Sequence, residues 1–292
     1  PQTTRPSPAL YALLLSHTSA ASAGPSITRV GCGITQKALM AELSEKLTEK
    51  TGITLRQAGG VHQEHPPYSV QGAHIGGSCR YLLTDSQQQV MPLEAIVKLI
   101  HTAWDALVFI THQSNAVTNI PSDKVKGVFS ASITNGSNSG QLSGSDQEIQ
   151  RLIREGKTSA VGYMLRKLVL QDSDYDFPPS PSSLPARWKK NIARRFKHGI
   201  SVTGINSVQK HAVNILALDG IYPLKKNLRA GLHCYYRPLH MITTPNLAPY
   251  TQRFIDFVLS QEGQALIAQE GTVNLKEGKL LQEKWTLMPL PK

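Results

Sequence analysis

Arg154 stands four residues ahead of Thr158, and Ser159 follows at once. Next comes Val161-Gly162-Tyr163-Met164-Leu165-Arg166-Lys167-Leu168-Val169-Leu170, which reads as a helix. A guanidinium, two hydroxyls and the free N–H groups of a helix's first turn are the parts of an anion site. Thr158 and Ser159 could cap the helix while they bind the anion. In the plainer reading Arg154 pairs on the surface with Glu155 or Asp146, worth no more than about 1 kcal/mol.

Two other stretches have comparable chemistry. Gly31-Cys32-Gly33-Ile34-Thr35-Gln36 offers glycines that let a ligand approach the backbone, with Thr35 at a helix start. Its plain reading is a turn followed by an N-cap, because a Gly-x-Gly alone is a weak signal. Gly76-Gly77-Ser78-Cys79-Arg80 combines glycines, a hydroxyl and a cation, or is simply a turn with an exposed arginine. His62, His65 and His74 form a loose cluster without helical spacing, which fits surface histidines better than a metal site. No metal or other cofactor is expected. No nucleophile elbow, Ser-His-Asp order, P-loop or dinucleotide fingerprint occurs, so catalysis has no positive support.

The elements that must position these loops can be read from periodicity. Residues 27–34 read as a strand running into a Gly-rich turn. Residues 35–50 place Leu39, Met40, Leu43 and Leu47 on one helical face, and Gly52 stops that helix. Strands are expected at 53–55, 73–76, 106–111, 147–153 and 239–243. A helix should start at Ser122-Asp123, a basic one should cover 186–197, and the longest should run from Ala248 to Gln269. Residues 172–185, rich in Pro and Ser, read as a surface loop or lid. Strand, loop, helix, strand is an α/β order.

Length allows two domains or one large one. The net charge of +11, from 31 Lys plus Arg against 20 Asp plus Glu, favours an anionic partner. Nucleic acid is disfavoured, because the cations are scattered and only 6% of residues are aromatic. The one dense run, Arg187-Trp188-Lys189-Lys190, fits a solvated helix face. No apolar run is long enough for a membrane span. Arg5, the apolar stretch from Ala9 to Leu15 and Ala21-Ser22-Ala23 have the order of an export signal, so residues 1–26 are read as a signal remnant or a disordered tail.

Longer segments carry a resemblance. Trp104-Asp105-Ala106-Leu107-Val108-Phe109-Ile110-Thr111-His112-Gln113-Ser114-Asn115 is similar to a crossover strand of the phosphate-binding proteins of periplasmic ABC uptake systems. Val125-Lys126-Gly127-Val128-Phe129-Ser130-Ala131-Ser132-Ile133-Thr134-Asn135 resembles their "IFSGKITNW" segment. Tyr236-Arg237-Pro238-Leu239 resembles their return strand, and Phe254 to Gln264 their C-terminal helix. The resemblance covers residues 27 to 275.

It implies a type II periplasmic binding protein fold: two α/β lobes, each a mostly parallel sheet flanked by helices, with a ligand cleft between them. Lobe one would comprise residues 27–110 and 233–292, and lobe two the inserted residues 111–232. The function implied is that of an exported, periplasmic, non-enzymatic and monomeric receptor that captures a small oxyanion, phosphate first, for an ABC permease. The ligand set would be Thr35, Gln36, Ser78, Arg80, Arg154, Thr158 and Ser159. The family's final Ser-Gly-Thr triplet is here Thr158-Ser159-Ala160, and Arg80 stands where some relatives have Asp. Cys32 and Cys79 would lie on neighbouring cleft loops, either joined by a disulfide if the chain is exported or, the favoured reading, as two buried thiols. The alternative is a degenerate binding fold that acts as a sensory or protein-interaction module.

Overall fold

The structure is a computed structural model. It describes residues 24–31, 37–57, 73–85, 87, 89–92, 94–136, 147–153, 156, 159–178, 196–208 and 212–287.

Its first part follows a strand–helix–strand order. β1 (Ser26–Gly31), α1 (Lys37–Thr51) and β2 (Thr54–Gln57) lead to β3 (Ile75–Ser78). Leu43 and Leu47, one helical turn apart, are fully buried on α1, so its apolar stripe faces inward. Gly52 ends the helix at φ 69°, a left-handed conformation that suits glycine. β4 (Lys98–His112) then runs for 15 residues. From Thr102 to Thr111 every side chain on it is buried, the mark of a strand covered on both faces.

The middle of the chain contains β5 (Asn119–Ile120), α2 (Ser122–Phe129), β6 (Gln150–Leu152) and α3 (Ala160–Leu165). A π-helical turn, Arg166–Leu170, continues α3. β7 (Gly199–Gly204), a 3-10 turn (Ile205–Ser207), β8 (Val213–Ile215), β9 (Ala217–Leu218) and α4 (Lys225–Arg229) follow. The chain returns along β10 (Tyr236–Thr243) and finishes with α5 (Pro249–Leu259), α6 (Gln261–Gln269), β11 (Val273–Asn274) and α7 (Lys279–Leu287).

The main sheet has the order β2-β1-β3-β10-β4-β7-β6, with β11 and β8 also paired to β4. β4 belongs to both halves. It pairs with β10 up to Ala106↔Tyr236 and with β7 from Leu107↔Gly204 onward. One apolar cluster packs α1, α5 and α6 on β1, β3 and β10. A second packs α2 and α3 on the far half of β4 and on β7. A third, with Trp104, Val108, Tyr236, Leu228 and Leu281, covers the junction. This is a two-lobed α/β arrangement.

Three expectations need correction or limits. The sheet is mixed, not mostly parallel. β1–β2, β1–β3 and β6–β7 are parallel, but β3–β10, β4–β10 and β4–β7 are antiparallel. The chain leaves along β4 and comes back along β10, so the central pair must run in opposite directions. The single helix expected from Ala248 to Gln269 is two. Ser260 sits between them in extended backbone, at φ −66° and ψ 163°, and its hydroxyl caps α6 by accepting from the Gly263 N–H at 3.2 Å. Most of the basic helix expected over 186–197 lies outside the described residues; within them, Lys197 and His198 form a turn into β7.

Candidate functional site

β1 and β3 are parallel neighbours that end in register at Gly31↔Gly77, so the loops that leave them start side by side. Among the described residues, Ser78, Cys79 and Arg80 form the second of these loops. All three are buried, Arg80 at 4% exposure. The Ser78 hydroxyl donates to the Arg80 carbonyl at 2.8 Å and accepts from the Arg80 N–H at 3.2 Å, which closes a tight turn. The Arg80 guanidinium is already engaged. It donates to Glu94 through both terminal nitrogens, at 3.0 and 2.6 Å, and to the Tyr81 carbonyl at 2.7 Å. Glu94, 5% exposed, also accepts from the Leu83 N–H at 2.6 Å. This bidentate pair has the geometry of a strong ion pair and ties down the segment after β3.

On the other half, Ser159 is the N-cap of α3. Its hydroxyl accepts from the Gly162 N–H at 3.3 Å, and its backbone is extended. An N-cap hydroxyl still leaves other first-turn N–H groups unpaired within the helix, and those groups attract anions. The two halves meet here. Ala160 packs against the apolar cluster of the first half, and the Arg80 guanidinium lies 6.0 Å from the centre of the Tyr163 ring. Burial pushes the Tyr163 phenol up, and the Arg80 charge pulls it partly back.

The structure therefore brings Ser78, Arg80 and Ser159 to one junction. Thr35, Gln36, Arg154 and Thr158 lie outside the described residues. Cys79 is disulfide-bonded and Cys234 is an exposed free thiol. Cys32, the partner implied by the resemblance, lies outside the described residues. His74 is a structural histidine: its Nδ1 accepts from the Thr28 N–H at 3.0 Å, and its Nε2 meets the Tyr250 hydroxyl at 3.0 Å. His62 and His65 lie outside the described residues. Among the described residues, no three His, Cys, Asp or Glu side chains gather to hold a metal.

Sequence reasoning missed the second layer of this junction. Glu94 comes 14 residues after Arg80 with no local motif to mark it. Lys167 carried a signal: it lies one helical turn after Tyr163, so the two share a face. Its ammonium is 6.0 Å from the Tyr163 ring centre and 5.9 Å from that of Trp285, and burial lowers its pKa. His101 and His240, with rings 5.3 Å apart, were also missed.

A cavity of about 250 Å3 lies elsewhere, at the junction of β4, the 3-10 turn, α4 and β11. It shares no residue with the expected ligand set. Its polar groups are largely satisfied internally. Asn206 donates to Asp105 at 3.2 Å and Thr272 at 2.9 Å, and Lys225 is held by Glu277 at 2.9 Å and the Ala268 carbonyl at 2.7 Å. The cavity's lysine is thus already paired.

A mixed sheet divided between two lobes, with strand-end loops and a capped helix meeting between them, defines a two-lobed solute-binding fold. The profile of the PBP superfamily domain matches residues 95–262, more than half of the chain, and the chain belongs to that superfamily. The phosphate-binding protein PstS of Borreliella burgdorferi is 24% identical over 186 residues, which cover 60% of this chain and 64% of that protein. The chain thus matches less than two thirds of that relative's length. Phosphate-binding protein PstS 2 of Streptococcus agalactiae is 31% identical over 74 residues, 25% of each chain. Two solved structures share the fold. A protein described as a phosphate ABC transporter substrate-binding protein, from Clostridium perfringens with bound phosphate, aligns with a TM-score of 0.69 at 22% identity, covering 86% of this chain and 99% of the other. An ABC-type phosphate transport receptor from Vibrio cholerae aligns with a TM-score of 0.58 at 22% identity, covering 85% and 99%.

Proposed function

We propose that this chain is a solute-binding protein, not an enzyme, that captures a small oxyanion between its lobes and delivers it to an ABC permease outside the cytoplasm. Phosphate is the first candidate. The observation that carries the reading is the meeting of the Ser78–Arg80 turn with the Ser159-capped start of α3 across the two halves. The names of the relatives support it. β4 changes partners between Ala106 and Leu107, which supports a division of the lobes along this strand. Ser78, Thr35 and Gln36 would serve lobe one, and Arg154, Thr158 and Ser159 lobe two. Arg80 would act differently from a free ligand: its fork is filled by Glu94, so it braces the turn that presents Ser78. The ligand would bridge both lobes and stabilise the closed state.

Isothermal titration with phosphate, arsenate, sulfate and molybdate tests this. Phosphate should release or absorb heat saturably at one site per chain. Ser159→Ala should weaken it by roughly tenfold, since a lost bond to a charged group costs about 1–3 kcal/mol. No heat and no thermal shift with any of the four anions would overturn the reading.

A further inference from the structure

α7 is anchored at the junction of the lobes. Leu281 is fully buried in the junction cluster, and the Tyr236 hydroxyl donates to the Leu281 carbonyl at 3.1 Å. Lys284 donates to the Gly231 carbonyl at 3.0 Å. One turn beyond Leu281, Trp285 reaches three different parts of the molecule. Its ring centre is 5.5 Å from that of Tyr81, just past the Ser78–Arg80 turn. It is 5.8 Å from Trp104 and 5.7 Å from Tyr236, on the two crossing strands. Lys167, on the far lobe, places its ammonium 5.9 Å from the same ring. Trp285 also packs against the apolar core of that lobe. One side chain thus touches lobe one, both crossing strands and lobe two.

The Lys167 ammonium makes no ion pair among the described residues and lies between the rings of Tyr163 and Trp285. A partly desolvated cation without a carboxylate gains from an aromatic face, and loses that gain when the face moves away. Rotating the lobes apart about β4 and β10 would carry Lys167 and Tyr163 away from Trp285 and Arg80. The Leu281 anchor of α7 lies on the crossing strand β10, so the helix would stay with that strand, while its Lys284–Gly231 bond reaches into the inserted half.

We propose that α7 is a clasp across the hinge, with Trp285 and Lys167 as its positioning residues: their contact favours the closed arrangement of the lobes and sets how long a bound anion stays. The second half of this statement rests on the oxyanion reading above; the first does not. Neither residue belongs to the expected ligand set. The clasp acts on the open–closed equilibrium, so it should change the escape rate more than the capture rate.

The test combines X-ray solution scattering of the ligand-free chain with stopped-flow phosphate binding. Lys167→Met should enlarge the radius of gyration and raise the phosphate off-rate about three- to tenfold, with the on-rate within about twofold. Trp285→Ala should do the same. Lys167→Arg keeps a cation over the ring and should restore both readouts, which a purely structural role would not predict. Glu283→Gln, on the exposed face of α7, should change neither. An unchanged radius in Lys167→Met, or an arginine that fails to restore it, would overturn the clasp. If phosphate proves not to bind at all, an enlarged radius still supports the clasp and only the oxyanion reading falls.

Discussion

At the scale of single residues, spacing gave chemistry but not roles. Arg80 looked like a spare cation beside a glycine turn. Glu94 fills its fork, and that partner lies in a segment with no readable motif. Ser159 could be read correctly as a cap because capping is local: the hydroxyl and the N–H it meets are three residues apart. The histidines of β4 and β10 were invisible as a pair because a cross-strand neighbour has no fixed sequence separation. They have a measurable consequence. His240 is 2% exposed, and its pKa falls to about 3, chiefly from burial and secondarily from the charge of His101. The unfolded chain has the ordinary value near 6.5, so below that pH it takes up a proton that the folded chain refuses. Stability is therefore complete above about pH 6.5 and is lost as pH falls toward 3, at up to about 1.4 kcal/mol per pH unit. Urea unfolding at pH 7 and at pH 4.5 measures this. His240→Leu should lose about 2–3 kcal/mol less than the parent chain between those two pH values. An equal loss in both would show that His240 is not the sensor.

At the scale of elements, periodicity found most helices and strands but blurred their ends. The apolar face from Tyr250 to Ile267 reads as continuous, and the chain breaks it at Ser260. The signal was present: a serine followed three residues later by a glycine fits a cap followed by close packing. Gly263 shows why the glycine is needed. A Cβ built there would stand 2.9 Å from the Val258 Cα and press against the Phe257 carbonyl, which are backbone atoms that cannot step aside cheaply. Gly263→Ala should cost about 3 kcal/mol, whereas Ser260→Ala, which removes only the cap, should cost about 1 kcal/mol. Chemical denaturation separates the two. Equal costs would mean that the α5–α6 corner opens freely. The π-helical turn after α3 had no such signal, since Arg166–Leu170 has the composition of an ordinary helix. Its register, which sets where Lys167 and Val169 point, is a product of packing.

At the scale of the whole molecule, the sequence showed an α/β chain, and the length of β4 shows how its halves are joined. The apolar run at 106–111 is only the part of β4 buried in the second half. The preceding stretch, with His101, Thr102 and Asp105, looks too polar for a central strand. It is one because its polar groups have partners across the sheet: Thr102 donates to the Leu239 carbonyl at 2.9 Å, and Asp105 faces Arg237. Both members of the Asp105–Arg237 pair are fully buried, with Arg237 nitrogens 2.9 and 3.2 Å from one carboxylate oxygen and Asn206 at 3.2 Å from the other. Burial alone would push the Asp105 carboxyl up, and the guanidinium opposes that shift. The pair sits one residue before β4 changes partners, so it locks the two crossing strands where the lobes are joined. Two consequences follow from a shared strand with such a lock. The lobes should unfold together, because neither keeps its sheet without β4. Asp105→Asn should weaken both at once, by about 3–5 kcal/mol, because it strands a buried guanidinium without its counter-charge. Tryptophan fluorescence and far-ultraviolet circular dichroism followed through one urea titration should give coincident curves in the parent chain, shifted together in the variant. Two separated transitions in the parent, or a variant in which only one probe moves, would mean that the lobes are held by their own cores and that β4 merely tethers them.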